Sequence, residues 1–296
     1  MAMAHHRRRP TVACEITPTH VIAGRANNAR DSIDTAEMRT LPDGIIAPGL
    51  ASENVHDAGK LRDAVCDALN AVGARTGRDV IVVVPDAAVR IVLLDFDTLP
   101  ERRTDADAVV RFRLKKSLPF DVEKAALSYD VHRGVSSVRV VVAITPGPVL
   151  EEYERAVREA GYTPGVVVPS TVAALGAVDG QRPTMVLKVD RGTTSVAIVD
   201  NDQLLLFRTL EGGTDVDSER LAEDVYPSIV FFQDTYGVNV ERLLVGGATS
   251  IQQVAPALEA HTGMRVQELV SSVMLPASAA GAHRSQLAGV VGALVG

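Results

Sequence analysis

The sequence predicts an α/β protein with some parallel strand pairing, and three observations carry that reading. Short apolar runs rich in Val and Ile alternate with segments whose apolar residues recur at helical spacing, as in VIVVV at 80–84 against LRDAVCDALNAV at 61–72. The chain has 296 residues, 46% of them hydrophobic, enough to fill two cores or one elaborated core. No uninterrupted apolar stretch approaches the ~20 residues of a membrane-spanning helix, so these residues are expected to pack against one another.

The opening MAMAHHRRRP places an Arg triplet and a His pair before any apolar segment, and residues 1–10 read as a disordered start. A β-like stretch follows at 12–25. From 60 to 72, Leu61, Val65, Ala68, Leu69 and Val72 fall on one face of a helix that Gly73 closes. The runs at 80–84 and 89–96 read as strands joined by a turn at Pro85-Asp86. Thr104, with Asp107 three residues on, resembles a capped helix start, and that helix should stop near Leu118-Pro119. SYDVH and SVRVVVAIT supply two more strands, so 80–145 reads as an inserted strand, strand, helix, strand, strand unit. Val149, Leu150, Tyr153 and Val157 define a helix closed by Gly161. The run at 166–168 then leads through Pro169 to Ser170, read as the cap of a short helix.

In the second half, VLKVDRGTTSVAIVD and DNDQLLLFRTL give three strands that turn at Arg191-Gly192 and at Asp200-Asn201-Asp202, an antiparallel meander. A helix from Asp217 carries Leu221, Val225, Ile229 and Phe232, with a kink expected at Pro227. RLLVGGATS turns a strand into a helix through Gly246-Gly247, and Ile251, Val254 and Leu258 mark the buried face of that helix. Leu287, Val290, Val291, Leu294 and Val295 have helical spacing with no Lys or Arg after Arg284, which favours docking into the core over lying on a membrane.

Charge excludes some partners. The 37 acids and 30 bases are spread along the chain for a net charge of −7, so neither nucleic acid nor an anionic membrane surface is an expected ligand. Cys14 and Cys66 lack C-x-x-C spacing and read as core residues of a reducing compartment. There is no G-x-S-x-G, H-E-x-x-H or Walker sequence, and the histidines are scattered apart from His5-His6.

Two places carry anion chemistry. On the hairpin of Asp190, Gly192, Thr193 and Thr194 the backbone can come close to a phosphate, the hydroxyls can touch its oxygens, and Asp190 can hold Mg²⁺ directly or through water. Gly246-Gly247, followed by Ala248, lets a flat ring or a phosphate approach the backbone. Taken alone, each also reads as an ordinary tight turn. Phe112, Leu118 and Phe120, beside the basic RFRLKK, fit a peptide groove or plain core packing.

Order adds what the motifs lack singly. LPDGIIAPG at 41–49, VVVPDAAVRIVLLDFDTLP at 82–100 and RFRLKKSLPFDVEKAALSYDV at 111–131 come first; VVVAITPGPVLEEYERAVREAGYTP, the D-x-G-T-T hairpin and VERLLVGGATS come after them. Together they span nearly the whole chain, and the arrangement resembles the PilM family of type IV pilus assembly proteins, within the actin-like ATPase superfamily and related to FtsA. The resemblance implies an actin-like (ribonuclease H-like) two-domain fold. Domain I would comprise 11–79, 146–180 and 276–296, an inserted α+β subdomain 80–145, and domain II 181–275. It implies a cleft for ATP with Mg²⁺, lined by Asp190, Gly192, Thr193, Thr194, Gly246, Gly247 and Ala248, with Asp190 toward the metal. It also implies a partner, the cytoplasmic tail of a PilN-like bitopic membrane protein, held in a groove beside the insert, with Phe112, Leu118 and Phe120 as the candidate contacts. Other pilus platform or motor proteins would lie nearby at the inner face of the bacterial inner membrane. Membrane contact would run only through the partner, and self-association is left open.

The chain departs from that pattern twice. Where the family has a first phosphate loop of the form D-x-G-x-[ST]-x-x-K, this sequence reads EITPTHVIAG, with Glu15 for Asp, Thr17 for Gly and Thr19 at the hydroxyl position. A Thr side chain blocks the approach that Gly permits, and Pro18 removes a backbone donor. Only 25 residues, 216–240, separate EGGTD from VERLLVGG, so the outer subdomain of the second half is expected to be reduced. That shortening also resembles the cytoplasmic domain of the type II secretion protein GspL, although the lack of a following membrane helix favours PilM. The expectation is a cytoplasmic platform scaffold with weak or lost ATP binding, its cofactor being ATP with Mg²⁺ or none, and with no catalytic residue nominated. The alternatives are an active actin-like ATPase or small-molecule kinase, which needs an aspartate base facing the cleft, and a GspL-like secretion component.

Overall fold

In the computed structural model, residues 9–51, 53–74, 78–134, 137–276 and 284–296 are described. Chain order begins with β1 (Val12–Ile16), β2 (His20–Ala26), β3 (Ile33–Thr40), α1 (Ala58–Ala71), β4 (Asp79–Val84), β5 (Arg90–Phe96) and α2 (Arg103–Leu114). Next come β6 (Ala125–Arg133), β7 (Val138–Pro146), α3 (Gly147–Glu159), β8 (Thr163–Pro169) and α4 (Ser170–Leu175). The second half holds β9 (Thr184–Asp190), β10 (Thr193–Asp200), β11 (Gln203–Glu211), α5 (Ser218–Tyr236), β12 (Arg242–Gly247), α6 (Ile251–Thr262), β13 (Val266–Glu268) and α7 (Ala288–Val295).

The two halves repeat one topology. The first sheet runs β3-β2-β1-β4-β8 and the second β11-β10-β9-β12-β13. In each, three strands form an antiparallel meander, and two further strands return parallel to the first of them through helices. The expected meander at 184–211 is present, its second turn carried by Asn201 and Asp202, both at positive φ as a type I′ turn requires. Central strands of such sheets are covered on both faces and read as unbroken apolar runs; every residue of β1 is buried, and in β9 all but the last.

That rule also corrects one boundary. The run at 80–84, expected to open the inserted unit, is β4, paired with β1 on one side and β8 on the other. The insert's own sheet is β5-β7-β6, entirely antiparallel, with α2 packing Ala106, Val110 and Leu114 against it. Five consecutive buried residues in β4 mark a strand with neighbours on both faces, whereas in β5, an edge strand, only Ile91 is buried. One helix start differs from expectation too, and another agrees with it. α2 begins after Arg102 with no side-chain cap, leaving Thr104 inside the helix, and it ends at Leu114. α5 is capped by Asp217, which accepts from the Arg220 amide, and is continuous through Pro227. Up to residue 8 the expected disordered start lies outside the described residues, as do 277–283 of the last expected domain I segment; Arg9 already donates to the Ala293 carbonyl.

The two halves are joined where α4 crosses α7. As its apolar spacing predicts, α7 is docked in the core, with Ala288 to Leu294 buried. The crossing is close enough that backbone meets backbone: a Cβ on Gly292 would lie 2.1 Å from the Ala173 carbonyl oxygen, and one on Gly176 2.4 Å from that of Gly292. Gly292→Ala should therefore force the helices apart and cost about 1–3 kcal/mol. Urea denaturation at matched m-value measures this, and an unchanged midpoint would show that the crossing yields without strain.

Candidate functional site

β1 and β9 are equivalent strands of the two sheets, and their side chains meet at the floor of the cleft between the halves. Glu15 on β1 is 0% exposed and Lys188 on β9 is 1% exposed. The Lys188 ammonium lies 3.2 Å from Glu15 Oε1 and 2.5 Å from Asp190 Oδ2, two residues on along the same face of β9. Ser170, at the start of α4, donates its hydroxyl to Glu15 Oε1. This is the side chain expected to cap α4; the helix instead follows Pro169 with no side-chain cap, because the hydroxyl is drawn to a buried carboxylate. Asp86, in the turn after β4, is also buried. Its Oδ1 accepts from the Thr171 amide at 3.0 Å, and its Oδ2 accepts from the hydroxyls of Thr171 at 2.5 Å and Ser195 at 2.8 Å. Since Ser195 belongs to β10, Asp86 too bridges the halves.

Three carboxylates thus surround one ammonium. Burial pushes Glu15 and Asp86 above the usual carboxylate range, against the pull of Lys188 on both. For Lys188, burial alone would lower the pKa, but Asp190, Glu15 and Asp86 together outweigh it and raise the group. Glu15 Oε2 is buried without a hydrogen-bond partner and faces Gly289, where a Cβ would come within 2.4 Å of it.

The expected first phosphate loop is closed on itself. Thr17 Oγ1 accepts from the His20 amide at 2.9 Å and the Thr19 amide at 3.4 Å and donates to the His20 carbonyl at 3.0 Å, while the Thr17 amide donates to the same carbonyl. With Pro18 contributing no donor, the N–H groups a phosphate would need are already taken. The second loop keeps more of its expected form. Asp190, Gly192 and Thr193 line a cavity of about 180 Å³ together with Thr17, Asp86 and Ser170, and Gly192 has φ +74°. Thr194 is buried beneath the hairpin with its hydroxyl unpartnered. Arg191 at the tip pairs with Asp43 of the first half.

Gly247 and Ala248 reach the cleft beside Thr19, but Gly246 faces Ala288 and Leu269. Gly247 is required by packing: at φ +104° its Cβ position lies 2.4 Å from the Val189 carbonyl oxygen. A separate cavity of about 520 Å³ opens beside Thr19, Arg191, Ala248 and Thr249. Magnesium with a triphosphate does not fit these residues, because the first loop offers no free donors and an ammonium stands between Glu15 and Asp190, where a cation would sit.

The partner candidates separate. Leu118 lines a groove of about 850 Å³ between the insert and the second half, along β5, β11 and α5. Phe112 is 77% exposed on the outer face of α2, opposite Val110 and Leu114, while Phe120 packs against the insert's core. Lys188, Asp86 and Ser195 were not nominated from sequence. The signal for Lys188 was there: a lone lysine inside TMVLKVD must be buried, and a buried lysine needs carboxylate partners.

Two topologically equivalent sheets flanking a cleft, with a small α/β insert after β4, define an actin-like fold. Among solved structures, PilM of a PilM–PilN type IV pilus biogenesis complex matches with a TM-score of 0.79 at 19% identity, over 97% of this chain and 98% of that one. A Bacteroides thetaiotaomicron protein with an actin-like ATPase fold matches at 0.53 with 10% identity, over 97% of both chains. The cytoplasmic domain of EpsL, an inner-membrane component of the Vibrio cholerae type II secretion system, matches at 0.50 with 9% identity, over 89% of this chain and 98% of that one. No protein-family model and no curated protein sequence matches the chain.

Removing the ammonium tests the floor. A carboxyl whose folded pKa is raised stabilises the fold most when protonated, so its contribution falls as pH rises from the unfolded value through the folded one. A raised lysine contributes fully until pH climbs past the ordinary lysine range. Lys188→Met should cost about 3–5 kcal/mol. The loss should shrink as pH falls from the neutral range toward the ordinary carboxylate range and Glu15 and Asp86, both raised by burial, take up protons. Denaturant titrations of both proteins across that range read it, and a pH-independent difference would mean that Lys188 acts by packing alone.

Proposed function

We propose that the chain is a scaffold of a type IV pilus or related secretion platform, working at the cytoplasmic face of the inner membrane. There it binds the short cytoplasmic tail of a PilN-like bitopic protein, with ATP binding weak or lost. The likeness to PilM along almost the entire chain carries this reading. Among the described residues no helix is long and apolar enough to cross a membrane, which fits a role in which the partner supplies the membrane contact. The cleft argues against a kinase or an efficient ATPase: Asp86 and Glu15, the carboxylates available as a base, are each tied to buried partners. A type II secretion component is the second reading, supported by the likeness to the EpsL cytoplasmic domain.

The tail is assigned to the groove beside the insert. Its walls are β5 and β11, the edge strands of their sheets, so backbone groups are available to an extended peptide. Ile91, Leu93, Leu118, Phe207 and the 56% exposed Phe231 give it an apolar lining. Other platform or motor proteins, and any self-association, are left to surfaces elsewhere.

A pull-down from membranes of the source bacterium tests the role, and recovery of no bitopic platform protein would end it. For the groove, Leu118→Asp and Phe231→Asp should each weaken tail binding at least about tenfold, equivalent to about 1.4 kcal/mol, while Phe112→Asp leaves it unchanged. Titration of a labelled tail peptide by fluorescence anisotropy measures the three side by side. Equal effects at all three positions would move the tail out of the groove.

A further inference from the structure

We propose that Lys188 is a built-in counter-cation that replaces a divalent metal at the cleft floor, so that the two halves are held together independently of metal and nucleotide. The inference stands on the floor itself and does not need the pilus reading.

Glu15, Asp86 and Asp190 converge from three segments of the chain into a region where Glu15 and Asp86 are buried and Asp190 is partly so. Carboxylates gathered this way need a positive charge, and Mg²⁺ ordinarily supplies it with oxygen ligands at about 2.0–2.1 Å. Here the ammonium touches Asp190 at 2.5 Å and Glu15 at 3.2 Å, filling the space between the two strands. Its strand neighbours make room for it. Ser195 on β10 and Gly246 on β12 stand directly opposite Lys188 in register, so the long side chain is flanked by two of the smallest residues. Gly289 does the same beneath Glu15, where any side chain would strike the carboxylate. The loop expected to bring phosphates to a metal has also closed, its Thr19 and His20 amides bound by Thr17. Cation position and phosphate loop are thus both occupied by groups of the chain, and both changes point to a site that keeps its charge balance without a ligand.

The consequence is mechanical. In a metal-dependent cleft the cation arrives with its ligand, and the attraction across the cleft comes and goes with it. An ammonium fixed to β9 is always present, so the Glu15–Lys188 link between the sheets is permanent.

Thermal unfolding of the full chain tests this with MgCl₂, MnCl₂, ATP and ATP plus MgCl₂ as the probes. The wild type should shift by less than about 1 °C with each, whereas a ligand at a hundred times its dissociation constant would raise the midpoint by roughly 5 °C. Lys188→Ala, which leaves the three carboxylates unbalanced, should be raised by several degrees by MnCl₂. A wild type stabilised by MnCl₂ or by ATP plus MgCl₂ would overturn the proposal, as would a folded Lys188→Ala that ignores MnCl₂. If that variant does not fold, the wild-type titrations still decide. The charge-matched Glu15→Gln/Lys188→Met pair should also fold and stay unmoved by MnCl₂, and a rise there would count against Lys188 as the cation's replacement. Tail binding by the wild type should be equal in EDTA and in MgCl₂. Absence of tail binding in both would sink the scaffold role while leaving the melting results to judge Lys188.

Discussion

The ion pair between Glu15 and Lys188 is the constraint on which the arrangement of the two halves rests. Each half has its own sheet, but the larger apolar core runs from the first sheet through α4 and α7 to Val186, Ala197, Val199 and Leu244 of the second, and such packing is non-directional, so alone it does not fix how the two sheets are placed. A buried ion pair does. Its attraction is offset by the cost of taking both charges out of water, so it adds little net stability but tolerates almost no displacement. Once Glu15 is held by Ser170 and Lys188 by Asp190, the relative position of β1 and β9 is set to within hydrogen-bond tolerance. Asp86 adds a second tie through Ser195, and the α4–α7 crossing a third, made of backbone against backbone.

Much of this was legible in the sequence. Periodicity located the main helices and strands, the meander at 184–211 followed from its turn residues, and the order of motifs pointed to the actin-like architecture that the structure has. What periodicity does not report is which sheet a strand joins. β4 and β5 are both apolar runs on either side of Pro85-Asp86, and only the burial of β4 on both faces separates a central parallel strand from the edge of a small antiparallel unit.

The site was legible in part, for a related reason. The D-x-G-T-T hairpin and the glycine pair could be found because each is local, and Thr17 and Pro18 marked the segment at 17–20 that bonds to itself in the structure. The floor is not local. Glu15, Asp86, Ser170, Lys188 and Ser195 are spread over 181 positions, from 15 to 195, and nothing in the spacing between them reports that they converge. Only Lys188 announced itself, by being charged where its strand is otherwise apolar. Ser170 shows the limit of local rules: helix-start chemistry suggested a cap, and a carboxylate 155 residues away claimed the hydroxyl.

The floor also bears on where a partner would sit. Asp86 lies in the turn that leaves β4 and leads directly into β5, so the ties it makes to Thr171 and Ser195 anchor the entry of the insert to both halves. The exit is fastened to the entry, since Thr145 on β7 donates its hydroxyl to the Ala88 carbonyl at 2.7 Å. The neck of the insert is therefore short and cross-linked, and its far end starts from a fixed direction. β5 then runs out beside β11, and the groove between them inherits its shape from the same floor that fixes β1 against β9. In an actin-like protein whose halves move with nucleotide, a groove bridging the insert and the second half would open and close with the cleft. Under the tie proposed for Lys188, together with that of Asp86, the groove would keep a constant shape, as the proposed scaffold role requires and a nucleotide-driven motor would not.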